Sequence, residues 1–142
     1  MTFTPPTALA SVTNIDYTVG DSAVSHTYAD FTTDYTGTCT KIASATIDPD
    51  GSGSPVNLST TATSGVTFER TTTPELEFTI DTMDNNHAGT HDVVLTMSCN
   101  EEDAENTFAF TITIAPVTLD APESPGQDDI ETPILFLSLI HI

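Results

Sequence analysis

The sequence is poor in basic side chains, and this scarcity excludes several classes of partner. Of its 142 residues only Lys41 and Arg70 are basic, against 21 acidic residues, so the formal net charge is -19 at pH 7. A chain with this charge is repelled by the phosphate backbone of nucleic acids and by anionic lipid surfaces. We therefore expect neither nucleic acid nor a membrane among its partners.

Tryptophan is absent, no segment has a helical period, and cysteine occurs only at Cys39 and Cys99. Threonine is abundant instead, and apolar residues alternate with polar ones in segments that glycine, proline, aspartate or asparagine interrupt about every ten residues. This pattern predicts an all-β domain built as a sandwich of short strands. We place seven strands, at residues 12–19, 23–32, 39–48, 64–70, 75–81, 91–99 and 107–115.

The strand pattern divides the chain into four parts. We expect an extended N-terminal segment at 1–10, the sandwich at 11–116, an acidic proline-rich linker at 117–133 and an apolar tail at 134–142. The linker contains three prolines and one glycine, a composition that does not continue a strand.

Three stretches resemble the cadherin-like, immunoglobulin-like repeats of large extracellular surface proteins of bacteria and protists. They are NIDYTVGDSA at the start, LEFTIDTMDNNHAGTHDVVLTMS across the turn between the fifth and sixth strands, and NTFAFTITIAP as the closing strand. The resemblance covers roughly residues 9–116 and implies a seven-stranded, immunoglobulin-like antiparallel β-sandwich with extended terminal segments. It also implies a spacer, adhesive or polymer-forming module that has no shared catalytic residues.

In such a sandwich the third strand starts, and the sixth strand ends, at the same end of one sheet. Cys39 and Cys99 occupy these two positions, and their parity along the strands points both side chains inward. We therefore predict a disulfide between them and an extracellular or cell-surface location, with two free buried thiols as the alternative.

Two acidic loops lie at the opposite end of the predicted sandwich. The segments DPDGSG at 48–53 and DTMDNNHAG at 81–89 contain four aspartates that could bind one calcium ion, namely Asp48, Asp50, Asp81 and Asp84. Their spacing is not that of an EF-hand, and the alternative is that these residues only form tight turns. We expect the acidic run at 100–106 to be a solvated loop.

The sequence contains no recognisable catalytic constellation. It has no nucleophile elbow, no glycine loop for phosphate and no identifiable pair of carboxylates in an apolar pocket, so we expect no enzymatic activity. His87 and His91, near Asp84 and Asp92, could be interpreted as metal ligands or as ordinary turn and strand residues. A spacing of four aligns ligands on a helix, whereas here a turn separates them.

Asn57 begins the tripeptide Asn57-Leu58-Ser59, an acceptor sequence for N-glycosylation. It follows a turn rich in glycine, serine and proline, where such sites are accessible.

The apolar tail has several interpretations. A donated strand would place four side chains on one face, those of Ile134, Phe136, Ile140 and Ile142. The tail could also begin a further repeat or a membrane helix that the sequence does not complete, since nine residues are too few to span a bilayer. Its last residues, LSLIHI, also resemble the translation of sequencing-adapter read-through.

These features predict a structural subunit or repeat of an extracellular filament or cell-surface appendage. It would assemble head to tail, with copies of itself or with neighbouring repeats, through terminal strand contacts. The alternative is an adhesion module of a surface protein, stiffened by calcium or binding glycans. Assembly predicts ordered chain ends between copies, whereas adhesion predicts a ligand or ion in the loops.

Overall fold

The computed structural model describes residues 1–73 and 75–119. The apolar tail and most of the linker fall at 120–142, outside the described residues, and so do their predicted assembly residues Ile134, Phe136, Ile140 and Ile142. The described strands and the helix are β1 (Phe3–Thr4), α1 (Thr7–Ala10), β2 (Asn14–Thr18), β3 (Val24–Ala29), β4 (Thr32–Thr33), β5 (Lys41–Asp48), β6 (Val56–Leu58), β7 (Val66–Arg70), β8 (Glu75–Ile80), β9 (Gly89–Cys99) and β10 (Glu102–Ala115).

The strands form two main sheets, as the alternating pattern predicts. Strands β2, β10, β9, β5 and β6 form one sheet in that order, and β3, β8 and β7 form the other. A short pair, β1 and β4, lies beside them. The all-β sandwich is therefore confirmed, and its strands pair antiparallel except for β2, which runs parallel to β10.

The core lies between the inward faces of the two sheets. Alternate residues of β9 are buried, because successive side chains of a strand point to opposite faces. Phe78 on β8 is fully buried, and its ring centroid lies 4.7 Å from that of Phe68 and 5.2 Å from that of Phe110 on the other sheet. This aromatic group joins the two sheets at the centre of the domain.

The first ten residues differ from the extended segment expected there. Phe3 on β1 is 2% exposed, and Leu9 on α1 is completely buried, so both belong to the core. Pro5 and Pro6 separate these two elements, and Pro6 precedes the first turn of α1. The spacing of two isolated apolar residues has no strand or helix period, so the sequence pattern does not indicate that this segment belongs to the sandwich.

Two strand boundaries also differ from the expectation. Strand β6 lies in a stretch predicted as a loop. It has only three residues, which are too few to show an alternating pattern. Strand β10 begins at Glu102, so most of the acidic run at 100–106 is strand, with a register shift between Glu102 and Glu105. Backbone pairing with β9 outweighs the low strand preference of these acidic residues.

Candidate functional site

The sandwich has two distinct ends. The disulfide end contains the connection from β3 to β5 and the turn between β9 and β10, since Lys41 and Glu102 both pair with Cys99. The opposite end contains the turn at 81–88 and the end of β10, where Ala115 pairs with Thr18. An eleven-residue strand such as β9 spans about 35 Å between these ends.

Cys39 and Cys99 form the predicted disulfide, with Cα atoms 5.2 Å apart. The bond connects β9 to the residues just before β5, so it lies within one sheet and at one end of it. Cys99 is buried and Cys39 half-buried. A structural disulfide fits an oxidising compartment, such as the extracellular space.

The acidic turn next to the disulfide is not simply solvated. Glu101 accepts a hydrogen bond of 2.7 Å from the backbone N–H of Thr40, and the Thr40 hydroxyl donates to the same carboxylate. These hydrogen bonds lower the pKa of Glu101. The hydroxyl of Tyr35 donates to Glu102 over 2.7 Å, which raises the pKa of Tyr35. Hydrogen bonds from the run at 100–106 therefore connect the β9–β10 turn to the β3–β5 connection.

Both basic side chains of the protein converge on one carboxylate, that of Asp30. Arg70 donates two hydrogen bonds to Asp30, of 3.2 and 2.8 Å, and the Lys41 ammonium lies 3.5 Å away. Lys41 also donates to the carbonyl of Phe31 and lies 5.2 Å from the centroid of its ring. Burial would raise the pKa of Asp30, but the hydrogen bonds and charges of Arg70 and Lys41 outweigh it and lower this pKa.

We expect Asp30→Asn to lower the free energy of unfolding at pH 7 by about 1–3 kcal/mol, because it leaves Arg70 and Lys41 without their carboxylate. Since the folded-state pKa of Asp30 is lowered, its contribution is complete above the ordinary aspartate pKa. The contribution is lost as the pH falls through the folded-state pKa. Urea unfolding of both proteins between pH 7 and pH 2 should therefore show the difference shrinking in acid.

Asp103→Asn is the matched control, because it removes the same charge from an exposed position of β10. We expect it to change the free energy of unfolding by less than about 0.5 kcal/mol. Equal effects of the two substitutions would contradict the importance of the Asp30 cluster.

The four aspartates predicted to bind calcium are not gathered into one site. Asp48 accepts hydrogen bonds from Ser52 and from the backbone N–H groups of Gly53 and Ser54, within its own turn. Asp84 accepts from the backbone N–H of Asn86. Within residues 1–73 and 75–119, no three histidine, cysteine, aspartate or glutamate side chains are grouped to hold a metal ion. The tight-turn alternative therefore describes these loops better.

The two histidines of the 81–91 region have structural partners. His91 is 1% exposed, and its Nδ1 accepts a hydrogen bond of 3.3 Å from the backbone N–H of Asp50. The ring proton therefore lies on Nε2, which donates to the carbonyl of His87 over 2.8 Å. Nδ1 of His87 lies 2.6 Å from the hydroxyl of Thr82. These contacts fit the interpretation as turn and strand residues rather than as metal ligands.

The outer face of the five-stranded sheet has an uncharged centre in a strongly acidic protein. The strand register places its outward side chains in rows across β10, β9 and β5. One central row contains Ala109, Val94 and Thr46, and the next contains Thr107, Thr96 and Ser44. The acidic residues Asp48 and Asp92 pair with each other in an adjoining row. We call the two central rows the neutral band.

A shallow groove of about 560 Å³ adjoins the neutral band. Ala10 and Val12 line it on one side, and Val94 and Ala109 line it on the other. Its surface is mainly apolar, and among the described residues that line it Asp92 alone is charged. Phe108 and Phe110 also line this groove, whereas the neutral band itself contains no aromatic ring. The neutral band and the groove together form one largely uncharged face. Its residues come from four segments, so no local motif could have revealed it.

Asn57 lies on β6, at the edge of the same outer face. It pairs with Thr46 and is exposed, whereas the adjacent Leu58 is buried. The structure thus places the side-chain amide in solvent, as glycosylation requires, and the modification itself stays a prediction.

In the described part of the chain, no helix is long and apolar enough to cross a membrane. No protein-family model and no curated protein matches the chain.

Three solved structures are distantly similar to the chain. An endo-fucoidan hydrolase of glycoside hydrolase family 107 matches at 14% identity with a TM-score of 0.48, over 75% of this chain and 13% of that one. The extracellular domains of the voltage-gated sodium channel beta4 subunit, a parallel homodimer with a role in cell-cell adhesion, match at 12% identity and a TM-score of 0.45, over 75% and 93%. Murine CRIg matches at 8% identity and a TM-score of 0.46, over 82% and 98%. This chain thus spans 13% of the length of the hydrolase, and at these identities the similarity concerns the fold alone.

Proposed function

We propose that the protein is a non-catalytic structural module of the extracellular space or cell surface, joined in series to copies of itself or to neighbouring repeats. The observation that carries this proposal is that the chain enters the sandwich at one end and leaves it at the other. Kinship with cadherin-like repeats of bacteria or protists remains an expectation from the sequence.

Both terminal segments of the described chain form hydrogen bonds with the rest of the domain. At the disulfide end the backbone N–H of Thr2 donates to Asp34 over 2.7 Å, which lowers the pKa of Asp34, and β1 pairs with β4. At the opposite end the backbone N–H of Val117 donates to the side chain of Asn85 over 3.0 Å. Modules with this geometry can be connected in a line, each contacting its neighbours end to end.

Serial assembly is tested by comparing the full chain with a chain that ends at residue 130. We expect the full chain to form linear particles in negative-stain microscopy and the shorter one to remain monomeric by light scattering, because the apolar tail supplies the joint. The four substitutions Ile134→Ser, Phe136→Ser, Ile140→Ser and Ile142→Ser, made together, keep the chain length and should also give monomers.

Two results would contradict this proposal. One is a full chain that stays monomeric up to about millimolar concentration, where even weak contacts would be populated. The other is a shortened chain that assembles as readily as the full one, since the joint would then lie elsewhere.

The neutral band favours an adhesion module as the second candidate. An uncharged surface on a chain of net charge -19 is where a partner can approach with the least electrostatic and desolvation cost. For this function we expect a full chain that is monomeric and that binds its partner equally well without residues 131–142.

A further inference from the structure

Strand β3 forms an open edge of the three-stranded sheet. It pairs with β8 along its whole length, Val24–Ala29, and no described strand pairs with its other side. Half of its backbone N–H and C=O groups therefore face away from the sheet, where they can pair with another extended chain.

The inward side chains of β3 are incompletely covered. Val24, His26 and Tyr28 pair with Ile80, Phe78 and Leu76, so they point to the same side as these three fully buried residues. Val24 is nevertheless 39% exposed, and the other two are half-exposed.

Strand β7, on the other side of β8, provides the comparison. Its Val66 and Phe68 pair with the same residues, Ile80 and Phe78, yet they are 0% and 5% exposed. The core is thus closed at the β7 edge and open at the β3 edge.

The path of the N-terminal segment explains the opening. Strand β1 pairs with β4, which follows β3 in the chain, and continuing that antiparallel pairing would have covered β3. Pro5 and Pro6 have no backbone N–H to donate, and the chain turns at them into α1 and then into β2 of the other sheet.

The β3 edge also lacks the charges that usually protect such edges. Its six residues, VSHTYA, include no aspartate, glutamate, lysine or arginine. Among the other edge strands, β2 contains Asp16, β7 contains Glu69 and Arg70, and β6 has only three residues. In a protein with 21 acidic residues, the longest edge strand among the described residues therefore contains no acidic side chain.

We propose that the open edge of β3 is a binding site for an extended apolar segment and that its occupant is residues 134–142 of a second copy. This inference rests on the proposed serial assembly for its occupant. The segment has nine residues for a six-residue edge, and Ile134, Phe136, Ile140 and Ile142 would face the exposed sides of Val24 and Tyr28. Residues 120–133 can span at most about 50 Å, enough to reach a neighbouring module.

The test uses the full chain and places a charge in the site. Val24→Lys puts an ammonium where the donated strand would pack, whereas Val56→Lys makes the same change at an edge valine of the other sheet that is 46% exposed. We expect Val24→Lys to raise the concentration needed for assembly at least about tenfold, the equivalent of one lost buried valine contact. Val56→Lys should leave it within about threefold. Circular dichroism checks that both variants are folded.

Hydrogen exchange of the unmodified protein gives a second measurement. We expect the backbone amides of β3 that point away from β8 to be protected in assembled material and to exchange faster after dilution to monomers. Assembly of Val24→Lys as readily as Val56→Lys, or unchanged exchange of these amides, would overturn the β3 site while serial assembly stood.

Protection of the same amides in a chain that remains monomeric would place the segment on its own domain. That result would overturn both the second copy as occupant and the proposed serial assembly. A monomeric full chain without protection would overturn both proposals as well.

Discussion

Replacing Cys39 and Cys99 together by serine is expected to lower the free energy of unfolding by about 4 kcal/mol. The bond closes a loop with a sequence separation of 60 residues, and that loop restricts the unfolded chain far more than the folded one. The loss is a large share of the total stability of a small domain, which is about 5–15 kcal/mol. Urea unfolding of the double variant and the oxidised protein measures the difference.

Reduction of the unmodified protein is the natural control for this prediction. Reduced protein and double variant should unfold at the same urea concentration, because both lack the covalent loop. Mass spectrometry of the unreduced protein should detect no alkylatable thiol. A double variant that unfolds like the oxidised protein would show that the bond does not stabilise the fold.

The second large effect is expected at the centre of the core. Phe78→Ala should lower the free energy of unfolding by about 3–5 kcal/mol, because it removes buried surface and leaves a cavity between the sheets. Phe78 is completely buried and contacts aromatic rings of both sheets, with centroids 4.7 and 5.2 Å away. The measurement is again urea unfolding at neutral pH.

Met83→Ala provides the comparison for this substitution. Met83 is 79% exposed in the turn between β8 and β9, so its removal should cost less than about 0.5 kcal/mol. If the two substitutions had similar effects, Phe78 would not be the residue that joins the sheets.

The strands with strong alternation could be predicted from the sequence. In β8, at 93–99 of β9 and at 108–114 of β10 apolar residues occupy every second position, and the structure buries most of that set, for example Leu95 and Ile112. The alternation shows which face of a strand packs against the core, and it can be recognised from neighbouring residues alone. The disulfide followed from the same parity together with the resemblance to an immunoglobulin-like topology.

The acidic loops could not be interpreted by composition. The same aspartate can bind a cation or accept hydrogen bonds from backbone N–H groups two to six residues further along, and residue type does not distinguish these roles. Asp48 and Asp84 form the second kind of contact. The contacts of Lys41 and Arg70 with Asp30 could not be predicted from the sequence either, because Arg70 is 40 residues away from Asp30 along the chain.

By itself the sequence determined the fold class, the inward residues of its regular strands, the acidic surface and the position of the cysteines at one end. Only the tertiary structure decided which strand edges stay open and which outward side chains meet in the neutral band. Strand partners are chosen by backbone hydrogen bonds that every residue type can form, and register is set by packing across both sheets. The open β3 edge and the parallel pairing of β2 with β10 are properties of the whole domain, which no local pattern of residues records.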